Sequence, residues 1–184
     1  VLEISLSAHY IALMNAMIAI FAGGCFWCMQ PEFDNTVGVI KTEVGYTGGA
    51  STAPTYENHK GHVEAIQITY DPKKISYPAL LKIYWSNIDP FDDGGQFADR
   101  GDSYKTVIFY ADEKEKSEAE NSKEAISKKF DGRKVATEIR PRMPFYIAED
   151  YHQKYYEKNA TRYKMYKVGS GRVKKLDELW GGDE

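Results

Sequence analysis

The chain has 184 residues, 42% hydrophobic and 28% charged, which is enough for one ordinary core and too little for two full-sized domains. Lys and Arg number 24 against 27 Asp and Glu, a net charge of −3, so the surface does not concentrate polyanions, and nucleic acid and anionic membrane are disfavoured as partners. With two cysteines, Cys25 and Cys28, it is no disulfide scaffold, and that pair is where the chemistry is to be sought.

Residues 1–16 read as a dispensable extension, with Met14 and Met17 as candidate starts, ahead of a single domain over residues 17–184. No Lys or Arg precedes Lys41, and the apolar run 10–22 is interrupted by Asn15 and too short to span a bilayer, so a cytoplasmic protein is expected. Ala22-Gly23-Gly24 before Cys25 also fits a lipoprotein signal; the missing basic start and the following Phe-Trp-Cys argue against it. Residues 17–22 are continuously apolar, as in a strand covered on both faces. Gly23-Gly24 ends that strand, and Cys25 opens a helix disturbed by Pro31. Strands follow at 37–44 and 63–70, the latter closed by Asp71-Pro72, then a helix at 77–87 with Leu80, Leu81, Tyr84 and Trp85 on one side. The Asp- and Gly-rich stretch 89–102 is irregular, and loops of that length are often functional. A strand at 106–110, a charged helix at 112–130, short strands at 136–140 and 145–148 and a helix at 150–159 complete the order, before a long irregular C-terminal tail. The expected fold is α+β, a central mixed β-sheet with helices packed on it in a ferredoxin-like two-layer core.

Cys25 follows a buried strand and two glycines at a helix start, where unpaired backbone N–H groups and the helix dipole favour a thiolate. Gly23 and Gly24 would let the backbone approach a ligand. Cys28 lies one turn away, a spacing that can close a small disulfide, although two cysteines can also be merely small buried residues. Zinc needs further ligands; His59 and His62 lie about thirty residues on, beyond the usual finger spacing. In the strand 63–70, alternation puts Glu64 on the face of Ile66, Ile68 and Tyr70. A carboxylate buried there would hold its proton near neutrality and serve as a general acid; one at an exposed strand end, or paired with a cation, would do nothing. Both readings stand on the pattern alone.

Gly24-Cys25-Phe26-Trp27-Cys28 resembles the signature of the A-type peptide methionine sulfoxide reductases. Gly45-Tyr46-Thr47-Gly48-Gly49, Pro54-Thr55-Tyr56, Gly61-His62-Val63-Glu64-Ala65, Tyr70-Asp71-Pro72, Asp99-Arg100-Gly101, Tyr104-Lys105-Thr106 and Ala148-Glu149-Asp150-Tyr151-His152-Gln153 resemble the family's later blocks in order. The resemblance implies Cys25 as nucleophile and Glu64 as the acid protonating the sulfoxide oxygen. Phe26 and Trp27 resemble the walls around the substrate methyl, Tyr56 and Tyr104 the hydroxyls around the oxygen, and Asp99 a carboxylate positioning substrate through water. It further implies reduction of the S epimer, in proteins and as free methionine sulfoxide, by a monomer without a bound cofactor. Thioredoxin or a glutaredoxin would be the external reductant. Many relatives carry a resolving cysteine in a glycine-rich tail; residues 163–172 contain none, which leaves Cys28 as the candidate. Two other readings remain at this level. A thioredoxin-like dithiol–disulfide oxidoreductase would use the same cysteines but leave Glu64 idle, and a small zinc-binding interaction module would need the histidines.

Overall fold

The structure is a computed structural model, and the residues it describes are 15–181; all but the last two residues of the expected extension lie outside them. In chain order the elements are β1 (Met17–Gly23), α1 (Phe26–Asp34), β2 (Val39–Thr47), β3 (Val63–Tyr70), α2 (Tyr77–Ser86), β4 (Gly95–Gln96), β5 (Asp99–Arg100) and β6 (Thr106–Tyr110). They continue with α3 (Glu113–Lys129), β7 (Glu138–Pro141), β8 (Tyr146–Ile147), α4 (Tyr155–Lys158), α5 (Ala160–Gly169) and α6 (Arg172–Trp180). The main sheet runs β7-β6-β1-β3-β2-β8, antiparallel throughout except for the parallel β6–β7 pair. Setting aside the edge strands and the β4–β5 ribbon leaves the β-α-β-β-α-β order of a ferredoxin-like core, as expected.

β1 sits at the centre of this sheet, which explains its unbroken apolar run. Ala19 and Phe21 face Phe33, Leu80 and Tyr84 of the helical layer, while Ile20 and Ala22 pack with Val63, Val107 and Phe109 on the opposite face. The hydroxyl of Tyr84 donates to Ala22 O at 2.8 Å and so ties α2 to the end of β1, just before the cysteines. Pro31 lies inside α1 without ending it; Met29 and Phe33 on either side are anchored in the core, which offsets the lost backbone bond.

Two expectations are corrected. The tail is helical, not irregular. Its buried contacts come from tyrosines and one arginine (Tyr155, Tyr163, Arg172), so no aliphatic period marks α5 and α6 in the sequence. Residues 150–159 form two short pieces, because Lys154 adopts φ 51° between a 3-10 turn and α4, where its N–H donates to Gln30 Oε1 at 2.8 Å. The glycines also have another role than close approach to a ligand. A Cβ on Gly23 would meet Met29 Sδ at 2.6 Å, and one on Gly24 (φ 79°) would meet Gln96 Cβ at 2.5 Å. Their absent side chains let the chain turn and let these neighbours pack.

Candidate active site

Cys25 caps the N-terminus of α1, directly beyond β1, and is 5% exposed. Glu64 lies in β3 two residues before Ile66, the first β3 residue paired with β1, and is 2% exposed. Strand alternation turns it to the helical face, where its Oε2 accepts the Phe26 N–H at 3.1 Å. The sheet's end and the helix's start are thereby fixed against each other. Between them opens a cavity of about 70 Å³ lined by Cys25, Phe26, Trp27, Tyr56, Glu64, Asp99, Tyr104 and Tyr166. Asp99 comes from β5, and Tyr104 from the 3-10 turn just after it, so the long loop and its flank furnish two cavity residues. Cys28 does not line the cavity; it is buried behind Cys25, one turn into α1, with its N–H on Cys25 O at 3.1 Å and the two side chains hydrogen-bonded.

The electrostatics separate the two thiols. Burial, the hydrogen bond with Cys28 and the nearby Glu64 push the Cys25 thiol well above its ordinary value. Cys28 moves the other way, lowered by its hydrogen bond with Cys25 and, against burial, by the charges of Arg172 and Lys167. The expectation that the helix start would acidify Cys25 is therefore corrected: burial pushes the thiol the other way. Burial raises Glu64 to about 8, the Phe26 N–H opposing, so this carboxyl is predominantly neutral at pH 7. Tyr56 and Tyr104 are hydrogen-bonded to each other and raised by burial, so both hydroxyls keep their protons.

A buried carboxyl of this kind carries a cost in stability with a definite sign. Its folded pKa lies above the unfolded value, so the folded state holds the extra proton and stability falls as pH rises from about 4.5 to about 8. Glu64→Gln keeps the acceptor for Phe26 N–H and removes that loss. It is expected to stabilise the fold by on the order of 3 kcal/mol at pH 7 and by little near pH 4.5. Urea unfolding of both proteins at the two pH values checks this; a gain independent of pH would contradict it.

Sequence reasoning missed Tyr166, Tyr155 and the part played by His152. Tyr166, on α5, donates to Asp99 Oδ2 and meets the Trp27 ring edge-on at 5.9 Å. Tyr155 stacks on Trp27 at 3.9 Å and 8°. Tyr163 and Tyr166 share one face of α5, but Tyr155 lies in the separate helix α4, so the three give no continuous helical period to read. His152 accepts the indole N–H of Trp27 on Nδ1 at 3.0 Å. Two other histidines among the described residues are engaged apart from the cysteines: His59 on Tyr46 and Thr55, His62 on Ser51 and Gly49.

A thiol and a neutral carboxyl converging on one small aromatic-walled cavity, on a ferredoxin-like core, define a site for thiol chemistry assisted by an acid. Residues 17–184 match the family described as peptide methionine sulfoxide reductase. Peptide methionine sulfoxide reductase MsrA of Bacillus licheniformis is 50% identical over 169 residues, covering 89% of this chain and 93% of that protein. Mxr1 of Saccharomyces cerevisiae in reduced form superposes with a TM-score of 0.73 at 27% identity, over 80% of this chain and 87% of that one. The same yeast protein in complex with Trx2 shares the fold, with a TM-score of 0.57 at 22% identity over 77% and 86% of the chains. The chain belongs to the peptide methionine sulfoxide reductase family. It is accordingly an oxidoreductase that returns methionine sulfoxide to methionine, and the thioredoxin-like and zinc-module readings are not favoured.

Proposed function

We propose that this chain repairs oxidised proteins, and reduces free methionine-S-sulfoxide, through Cys25 as nucleophile, Glu64 as general acid and Cys28 as resolving thiol. The observation that carries the reading is the neutral Glu64 carboxyl sharing one cavity with the Cys25 thiol. The Cys25 thiolate attacks sulfur, Glu64 protonates the departing oxygen, and methionine leaves with a sulfenic acid on Cys25. The sulfoxide sulfur carries partial positive charge, which favours the thiolate once substrate fills the cavity. Tyr56 and Tyr104 hydrogen-bond the oxygen, Phe26 and Trp27 wall the methyl, and Asp99 positions the substrate through water.

Cys28, hydrogen-bonded to Cys25 and the more acidic of the two thiols, then displaces water from the sulfenic acid to form a disulfide. Thioredoxin, the kind of partner in the Mxr1–Trx2 complex, reduces that disulfide and closes the cycle; a glutaredoxin is the other donor considered. No cofactor enters the cycle. The enzyme is taken to act as a monomer in the cytoplasm, where dithiol reductants are kept reduced.

An epimer-resolved assay tests the substrate: the S sulfoxide should be consumed with dithiothreitol or reduced thioredoxin, and turnover of the R epimer alone would refute the reading. For the resolving step, Cys28→Ser should still release one methionine per enzyme in a single turnover. Its multiple turnover with thioredoxin should fall sharply, with a dimedone-reactive sulfenic acid accumulating on Cys25. Normal recycling of this variant, with Cys25 recovered glutathionylated, would favour the glutaredoxin route instead.

A further inference from the structure

Arg172, the first residue of α6, is a buried cation, 1% exposed. Its guanidinium donates to Asn87 O at 2.7 Å and to Gly23 O at 3.1 Å, and lies over the Phe97 ring at 4.5 Å. Among the described residues it hydrogen-bonds no carboxylate. Carbonyl dipoles at the ends of β1 and α2 lower the cost of burying that charge without neutralising it, and buried charges are ordinarily paired. The bond to Gly23 O holds the guanidinium beside the turn that leads into Cys25. Cys28, itself 1% exposed, stands within its field.

The other groups that face Cys28 divide by charge. Lys167, from α5, is the second cation, but it is paired with Glu32 at 2.9 Å. Glu64 is predominantly neutral and Tyr163 keeps its proton, both through burial. Cys25 contributes a hydrogen bond, and the Asp99 carboxylate opposes from β5. When Cys25 becomes a sulfenic acid, its thiol bond to Cys28 is remade, whereas the Arg172 charge stays. We propose that Arg172 is a positioning residue for the resolving step: its guanidinium is the resident counter-charge toward which Cys28 ionises to attack the Cys25 sulfur. In that step the Cys28 thiol gives up its proton, the S–S bond forms and the S–O bond of the sulfenic acid breaks. The Cys28 sulfur is oxidised, the Cys25 sulfur is reduced, and the leaving hydroxide takes up a proton as water. This rests on the reading of Cys28 as the resolving thiol.

The test forms the sulfenic acid with one equivalent of methionine sulfoxide, without reductant, and times disulfide formation after a pH jump. Arg172→Gln keeps a donor for the carbonyls, and Arg172→Met keeps the length with an apolar tip. Both lack the charge, and near-UV circular dichroism checks their folds. Each tenfold loss of thiolate is offset by a roughly threefold gain in its nucleophilicity, so the step at pH 7 should slow by roughly three- to tenfold in each. The gap should narrow as pH rises, because the wild-type thiol is ionised first and the variants gain thiolate later. Arg172→Lys, which retains the charge, should stay within about twofold of the wild type. In Cys25→Ser, where Cys28 is the single thiol, its ultraviolet thiolate titration should move to higher pH when Arg172→Gln or Arg172→Met is added. Equal slowing by all three substitutions at every pH, with an unmoved Cys28 titration, is what a purely structural clamp predicts and would overturn the proposal. Wild-type rates in the two charge-free variants would overturn it as well, with Cys28 still the resolving thiol. If the wild type forms no Cys25–Cys28 disulfide, the resolving-thiol reading fails and takes this inference with it.

Discussion

Cys25→Ser is expected to abolish sulfoxide reduction altogether. A serine hydroxyl at neutral pH supplies scarcely any alkoxide and is a poor nucleophile toward sulfur, and the cavity surrounding Cys25 disfavours a new charge. Cys28 cannot substitute, because it is buried behind Cys25 and does not reach the cavity. The fold should tolerate the change, since an oxygen replaces a sulfur at the cap of α1, and near-UV circular dichroism should match the wild type. Methionine release above the uncatalysed rate, measured on free methionine sulfoxide with excess dithiothreitol, would remove Cys25 from the mechanism.

Glu64→Gln is expected to lose roughly 10²–10⁴-fold in kcat, the range typical for removal of a general acid, with KM changed less. The amide keeps the shape and the acceptor for Phe26 N–H, so the loss isolates proton delivery from geometry. The pH profile separates the two further. The reactive form needs Cys25 ionised and Glu64 protonated, so one proton must leave the pair and one must stay. Because Glu64 lies at about 8 and Cys25 is raised well above its ordinary value, the pair's first proton leaves near pH 8. kcat/KM should therefore rise through that pH as an apparent value of the pair. In Glu64→Gln that inflection should vanish, leaving only the ionisation of Cys25. A variant retaining near-normal rates and the same inflection would make Glu64 a structural residue.

The core was legible because period and composition agreed with burial. The apolar run of β1, the alternation of β3 and the one-sided Leu80, Leu81, Tyr84 and Trp85 of α2 each report a covered face. Glu64 was legible as a candidate for the same reason: a charge in register with Ile66 and Ile68 either contradicts the pattern or uses it. What alternation could not supply was the choice between a buried and an exposed strand end; the Phe26 N–H and the cavity across from Cys25 decide that. The tail was not legible. Its helices are held by tyrosines against the cysteine cluster, by the buried Arg172 on Gly23 O and Asn87 O, and by the Trp180 indole on Ile88 O, long-range contacts that leave no local period. The ionisation of Cys25 was misread on similar grounds, because a helix start is visible in sequence and the burial around it is not.

One measurement bears on the central claim most directly: wild-type protein, fully reduced and free of external reductant, mixed with one equivalent of methionine-S-sulfoxide, followed by counts of methionine and free thiols and by peptide mass mapping. One methionine per chain, both thiols lost and a Cys25–Cys28 disulfide is the outcome that the proposed chemistry requires. Methionine formed while Cys25 remains a free, alkylatable thiol would contradict it.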